Sequence, residues 1–184
     1  MRRALIAGIG NVLLGDDGIG PCVVRLLEAA YTFSGEVEIA DLGTPSLDLT
    51  QRIAGLDSLI VIDCVKSDAA PGTVVFCRKA DIVCEKLPDR LDPHSPALAE
   101  CLMAAEMLGA SPQNVLLIGI VGEPCEPGCG LSPAVWRSLA QAMDAVLLEL
   151  DRLNFDYTKK PLADEPAIWW SDEFHVPVLE TAIR

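Results

Sequence analysis

After Ser58, Leu59-Ile60-Val61-Ile62 is an unbroken apolar, mostly β-branched run. A strand with no polar residue at alternate positions has no side to turn to water, so it is read as buried on both faces. Asn114–Val121 is a second run of the same kind. Strands buried on both faces need helices above and below the sheet, and the surrounding segments supply them. Ala4–Gly8 reads as a first strand and Pro21 to Tyr31 as a first helix, with Val23, Val24, Leu26 and Leu27 as its apolar stripe. Glu36–Ala40 alternates with period two, as a strand nearer the sheet edge does. A short helix is expected around Leu47–Ile53, and a strand over Thr73–Cys77 after the Pro71-Gly72 turn.

Lys79 to Ser95 reads as irregular, with Pro88 and Pro93. Ser95-Pro96 then opens a helix to Leu108, with serine as cap and proline at the first helical position. Ser132-Pro133 repeats the device before a long helix carrying Val135, Leu139, Met143, Val146, Leu147 and Leu150. The expected fold is a single three-layer α/β/α domain with a central, mostly parallel sheet of about five strands. Residues 1–153 form that domain, and 154–184 a tail without periodicity that holds the exposed-looking pair Trp169-Trp170.

The 184 residues, 51% hydrophobic, suffice for one domain with a sizeable core. No apolar run reaches the roughly 18 residues of a membrane span. The apolar stretch after Arg2-Arg3 is broken by Gly8, Gly10, Asp16 and Asp17, so no signal peptide is read there and the protein is expected to be cytoplasmic. A net charge of −13 argues against a nucleic-acid partner. Seven scattered cysteines, an odd number, fit reduced thiols better than a disulfide framework.

In parallel sheets ligands bind at the carboxyl ends of the strands, so the strand ends are where chemistry is expected. The first strand runs into Gly8-Ile9-Gly10-Asn11-Val12-Leu13-Leu14-Gly15-Asp16-Asp17-Gly18-Ile19-Gly20. Its glycines mark a tight turn or a close approach. The missing third glycine at Leu13 and the lack of a following lysine weaken a phosphate-binding reading. Asp16 and Asp17 are helix caps or ligands for a cation. Asp63 ends the buried Leu59–Ile62 run; it caps a loop amide or reaches into a site. The later ends add Asp41-Leu42-Gly43-Thr44 and Gly122-Glu123.

His94, between Pro93 and Ser95-Pro96, lies where the helix dipole favours a neutral imidazole, able to bind a metal or accept a proton. A hydrogen-bonded loop histidine is the plainer reading, and His175 in the acidic tail is its competitor. Two aspartates and a histidine suit a divalent transition metal. Cys125-x-x-x-Cys129 as half a zinc site and Cys64 with His94 as a nucleophile pair are weaker alternatives.

Gly8-Ile9-Gly10-Asn11-x-Leu13-x-x-Asp16-Asp17-Gly18-x-Gly20 resembles the opening motif of the nickel-iron hydrogenase maturation endopeptidases. The resemblance continues in order through Asp41-Leu42-Gly43-Thr44, Leu59-Ile60-Val61-Ile62-Asp63, Pro93-His94, Leu117-Ile118-Gly119-Ile120, Glu126-Pro127 and Leu131-Ser132-Pro133, covering about residues 3–150. It implies a cytoplasmic protease that removes a C-terminal peptide from the precursor of a hydrogenase large subunit already loaded with nickel.

By that resemblance Asp17, Asp63 and His94 contact the nickel and carry the chemistry, ligand and general-base roles not being separable. Asp41, Gly43 and Thr44 contact the substrate. The nickel comes with the precursor and is not tightly held by the free enzyme. Two other readings stand beside this one. A non-catalytic checkpoint module would bind the loaded precursor without shortening it. An ordinary zinc peptidase would hold stoichiometric metal, though the chain lacks a His-Glu-x-x-His helix.

Overall fold

The computed structural model describes residues 2–46, 48–83, 94–124 and 127–170, with the side chains of residues 94–97 outside that description. The chain opens with β1 (Ala4–Ile9), a 3-10 turn (Gly15–Gly18) and α1 (Ile19–Ala30). β2 (Tyr31–Phe33), β3 (Val37–Gly43), α2 (Leu49–Ile53) and β4 (Ser58–Val65) follow. Next come β5 (Val74–Arg78), α3 (Lys79–Val83), α4 (His94–Met107) and β6 (Asn114–Val121). The described chain closes with α5 (Pro133–Trp136), α6 (Leu139–Leu153) and β7 (Tyr157–Lys159).

Five strands form one sheet in the order β3-β1-β4-β6-β5. All neighbours in it are parallel except β5, which runs antiparallel to β6. The sheet is therefore mostly parallel, as expected. β4 sits at its centre, with Ile60 opposite Ile6 of β1 and Leu116 of β6. Alternation divides the core in two. Ile6, Ile60, Ile62 and Ile118 face α1 and α6, while Leu5, Leu59, Val61 and Leu117 face α2 and α4. The apolar run of β4 is continuous because each of its faces carries a helical layer.

Several boundaries differ from the sequence reading. β4 continues through Asp63 to Val65, because β6 keeps pairing with it to Val121. β3 extends through Asp41 to Gly43, whose carbonyl accepts the Gly10 N–H at 2.8 Å. α4 begins at His94, so Ser95-Pro96 lies in its first turn, where proline's missing N–H costs nothing. Ser132-Pro133 does open a helix, and Ser132 Oγ accepts the Val135 N–H at 3.3 Å. That helix ends after one turn. Ser138 Oγ donates back to the Val135 carbonyl at 2.6 Å, and α6 starts afresh beyond it.

A second sheet was not anticipated: β2 pairs antiparallel with β7. Tyr31 belongs to it and not to the helix before it. The chain after α6 also packs back on the body, burying Phe155, Ile168 and Trp170 in the α1/α6 core. Trp170 is thus not exposed, whereas Trp169 is. Among the described residues, five cysteines are free thiols and three of them, Cys22, Cys77 and Cys101, are buried. No described helix is long and apolar enough to cross a membrane.

Candidate active site

The site is built where β1 leaves its neighbour. β1 pairs with β4 only as far as Gly8 opposite Ile62, while β4 runs on to Asp63 opposite Gly119 of β6. The space beside Asp63 vacated by β1 is taken by the Gly10–Gly20 loop. Only glycine fits the crossing point. A Cβ on Gly20 would lie 2.3 Å from the Ile9 carbonyl oxygen and 2.5 Å from that of Ile62; one on Gly8 would lie 2.4 Å from the Gly20 oxygen. Those contacts seat the start of α1 directly on the ends of β1 and β4.

Asp17 lies in the 3-10 turn, and its Oδ2 accepts the Asn11 N–H at 2.7 Å. Gly10, at φ +136°, presses against the Asp17 backbone carbonyl. Asp17 and Asp63 are 4% and 3% exposed. The structure brings these two together. Burial pushes the Asp63 carboxyl well above the usual carboxylate range, and the charge of Asp17 pushes it further, against the pull of the Cys64 backbone N–H.

Asp63 shares its sheet face with Leu59 and Val61, the face covered by α4. The turn after α4 is tied to the start of β4 by the Gly55 N–H donating to the Ala110 carbonyl at 2.8 Å. α4 therefore runs antiparallel to β4, and its first residue, His94, begins at the edge where Asp63 lies. The side chain of His94 lies outside the described residues, as do His175 and Cys125 entirely. Among the described residues no group of three acidic, histidine or cysteine side chains gathers as a metal cage.

Asp16 is not a helix cap. The residue in the capping position of α1 is Gly18, with no side-chain bond there. Asp16 instead reaches the loop after β6: its Oδ1 accepts the Ser132 N–H at 2.6 Å and its Oδ2 the Glu123 N–H at 2.9 Å. Nothing local in Gly15-Asp16-Asp17-Gly18 distinguishes the two aspartates. Their partners are six residues away for one and more than a hundred for the other.

Asp41 is placed apart from the pair. Ala40 and Leu42 pack on the α2/α4 face, so Asp41 turns to the α1 face. There it lies 3.5 Å from Arg25 and accepts the Gly43 N–H at 3.0 Å. Gly43, at φ +56°, turns the chain out of β3 into exposed Thr44. A groove of about 440 Å³ follows, lined by Leu42, Pro45, Asp48, Leu49, Gln51 and Arg52.

The sequence model of the family described as hydrogenase maturation protease matches residues 21–149. The chain belongs to the hydrogenase maturation protease family. The match therefore runs from within the first turn of α1 through most of α6. The hydrogenase 2 maturation protease of Escherichia coli K12 is 36% identical over 149 residues, covering 80% of this chain and 90% of that protein. The hydrogenase expression/formation protein HupD of Bradyrhizobium diazoefficiens is 28% identical over 182 residues, covering 95% of this chain and 92% of its own. Among solved structures, the hydrogenase maturating endopeptidase HybD of E. coli superposes with a TM-score of 0.80 at 33% identity. The match covers 86% of this chain and 98% of that one. This hydrogenase maturation protease is thus a hydrolase of the peptidase class with the HybD fold, as its motifs implied.

Proposed function

We propose that this protease removes the C-terminal extension from the nickel-loaded precursor of a hydrogenase large subunit, in the cytoplasm, using Asp17, Asp63 and His94. The observation that carries the reading is the burial of Asp17 beside Asp63 at the sheet's carboxyl edge. Two buried carboxylates repel each other, and an incoming cation relieves that repulsion. Two carboxylates and an imidazole are a donor set suited to a divalent transition metal, and the nickel counts here as part of the substrate. The name of one structural relative, a [NiFe] hydrogenase maturation protease from Thermococcus kodakarensis, supports that choice.

In this scheme the free enzyme offers an incomplete set of donors. The precursor completes it, so only a loaded precursor is held in the right place. The Asp17–Asp63 pair supplies both a ligand and the general base that takes a proton from the attacking water. Gly43 and Thr44, at the end of β3, form the rim that receives the peptide.

The test is the mass of the large subunit before and after incubation with nickel-loaded precursor. Asp17→Ala and His94→Ala are expected to slow shortening by about 10²-fold or more, the usual scale of acid–base and ligand losses. Wild-type rates in both would overturn the scheme. Binding of wild-type enzyme without any change in mass would point instead to the checkpoint module, and stoichiometric metal in freshly purified protein to a zinc peptidase.

A further inference from the structure

Asp16 is a buried carboxylate that the proposed chemistry does not use. It is 5% exposed, and both its oxygens accept backbone N–H groups from the loop joining β6 to α5. The same loop is tied to the same turn by its main chain: Gly15 N–H donates to Gly128 O at 2.8 Å, and Gly128 N–H to Leu13 O at 3.0 Å. Glu123, Pro124 and residues 127–129 are exposed, while Leu131 at the far end of the loop packs partly on the α1/α6 core. At Gly122 the loop comes so close that a Cβ would lie 2.5 Å from Cys64 Sγ and 3.1 Å from Asp16 Cβ.

Successive residues of a 3-10 turn project about 120° apart. Asp16 and Asp17 therefore engage different walls. Asp17 is bonded to Asn11 on one side of the turn, and Asp16 to the β6–α5 loop on the other. With the Gly15–Gly128 and Gly128–Leu13 main-chain bonds, they hold the turn against both walls. The Asp16 bonds are the side-chain part of the hold on the wall away from Asn11, where a small shift of the turn moves the Asp17 carboxylate relative to Asp63.

We infer that Asp16 is a positioning residue, whose carboxylate fastens the β6–α5 loop to the turn and so holds Asp17 in its reactive place. This rests on the reading of Asp17 given above. Asp16→Asn keeps the shape but puts an amide N–H against one of the two backbone N–H groups. It is expected to lower kcat for shortening of nickel-loaded precursor about tenfold, with KM within about twofold. Gly122→Ala, which sets a methyl group against Cys64 Sγ and Asp16 Cβ and so displaces the loop, is expected to give the same split.

Glu149→Gln is the control for lost stability. It weakens the part-buried pairs of Glu149 with Arg78 and Arg152 at the opposite edge of the sheet. Melting temperature falls in this control while kcat stays at the wild-type value. A wild-type kcat in Asp16→Asn, a raised KM with kcat unchanged, or an equal loss of kcat in Glu149→Gln would each overturn the inference. An inert Asp17→Asn beside a fully active Asp16→Asn sinks this inference alone. Full activity in Asp17→Asn sinks the reading of the site as well.

Discussion

Asp63 is placed at a cost to folding. Its carboxyl holds a proton more tightly in the folded chain than in the unfolded one, because burial and the neighbouring Asp17 both disfavour its charge. The sign follows from linkage. The stability contributed by this raised group is fully present below the unfolded aspartate value of about 3.9 and is lost as pH rises through the folded value. At neutral pH and above, the wild-type protein bears that loss. Asp63→Asn removes it. The variant is expected to melt higher than wild type at pH 8, with the difference shrinking as pH falls toward 4, while losing processing activity. A gain of about 1 kcal/mol corresponds to about 2–4 °C in a chain of this size. Thermal melts of the metal-free proteins across that range check it, and a lower melting temperature for Asp63→Asn at pH 8 would refute it. Asp63 and Asp17 were legible as candidates because strand ends and glycine-flanked acids are marked in sequence. Their repulsion was not, since it depends on where β1 stops.

Among the elements, the junction of β1, β4 and α1 fixes the site, and glycine makes it possible. A methyl group on Gly20 meets two main-chain carbonyl oxygens, which cannot rotate aside as a side chain would. Gly20→Ala is expected to cost about 3 kcal/mol, at the upper end of overpacking effects. The urea midpoint should fall with an unchanged slope. Gly35 offers the contrast: nothing lies within 4 Å of its Cβ position, and Gly35→Ala is expected to be neutral or slightly stabilising. Equal losses in the two would show that backbone freedom, not the close approach, explains Gly20. The strand–helix order was legible here because β4 and β6 are apolar at every position of their shared core. The ends of β3 and β4 were not, because polar Asp41 and Asp63 look like loop residues until pairing with β1 and β6 holds them in line. The three-residue strands β2 and β7 carry too little pattern of their own to be seen before their pairing partner is known.

For the whole molecule, the stretch beyond α6 decides how the α1 face is closed. Phe155, Ile168 and Trp170 are buried against α1 and α6, and the main chain bonds back, Lys160 N–H to Ala30 O at 2.8 Å and Asp164 N–H to Ala29 O at 2.9 Å. Trp170 also hydrogen-bonds the Cys22 thiol, which burial pushes up to about 12, so that Cys22 serves as core and not as a nucleophile. Sequence periodicity misses such a stretch because irregular chain buries side chains one at a time. Its aromatic residues were visible, but which of Trp169 and Trp170 faces inward depends on the backbone. Trp170→Ala should therefore cost about 3 kcal/mol or more, the usual loss for a buried aromatic. Trp169→Ala, at 79% exposure, should stay within about 0.5 kcal/mol. Ending the chain at Leu153 removes all three buried side chains and β7 together, exposing the outer face of α1 whose first turn seats the site. That truncation is expected to lower the urea midpoint by more than Trp170→Ala alone and to abolish processing. A chain ending at Leu153 that kept the wild-type midpoint would mean that α1 and α6 close the core without it.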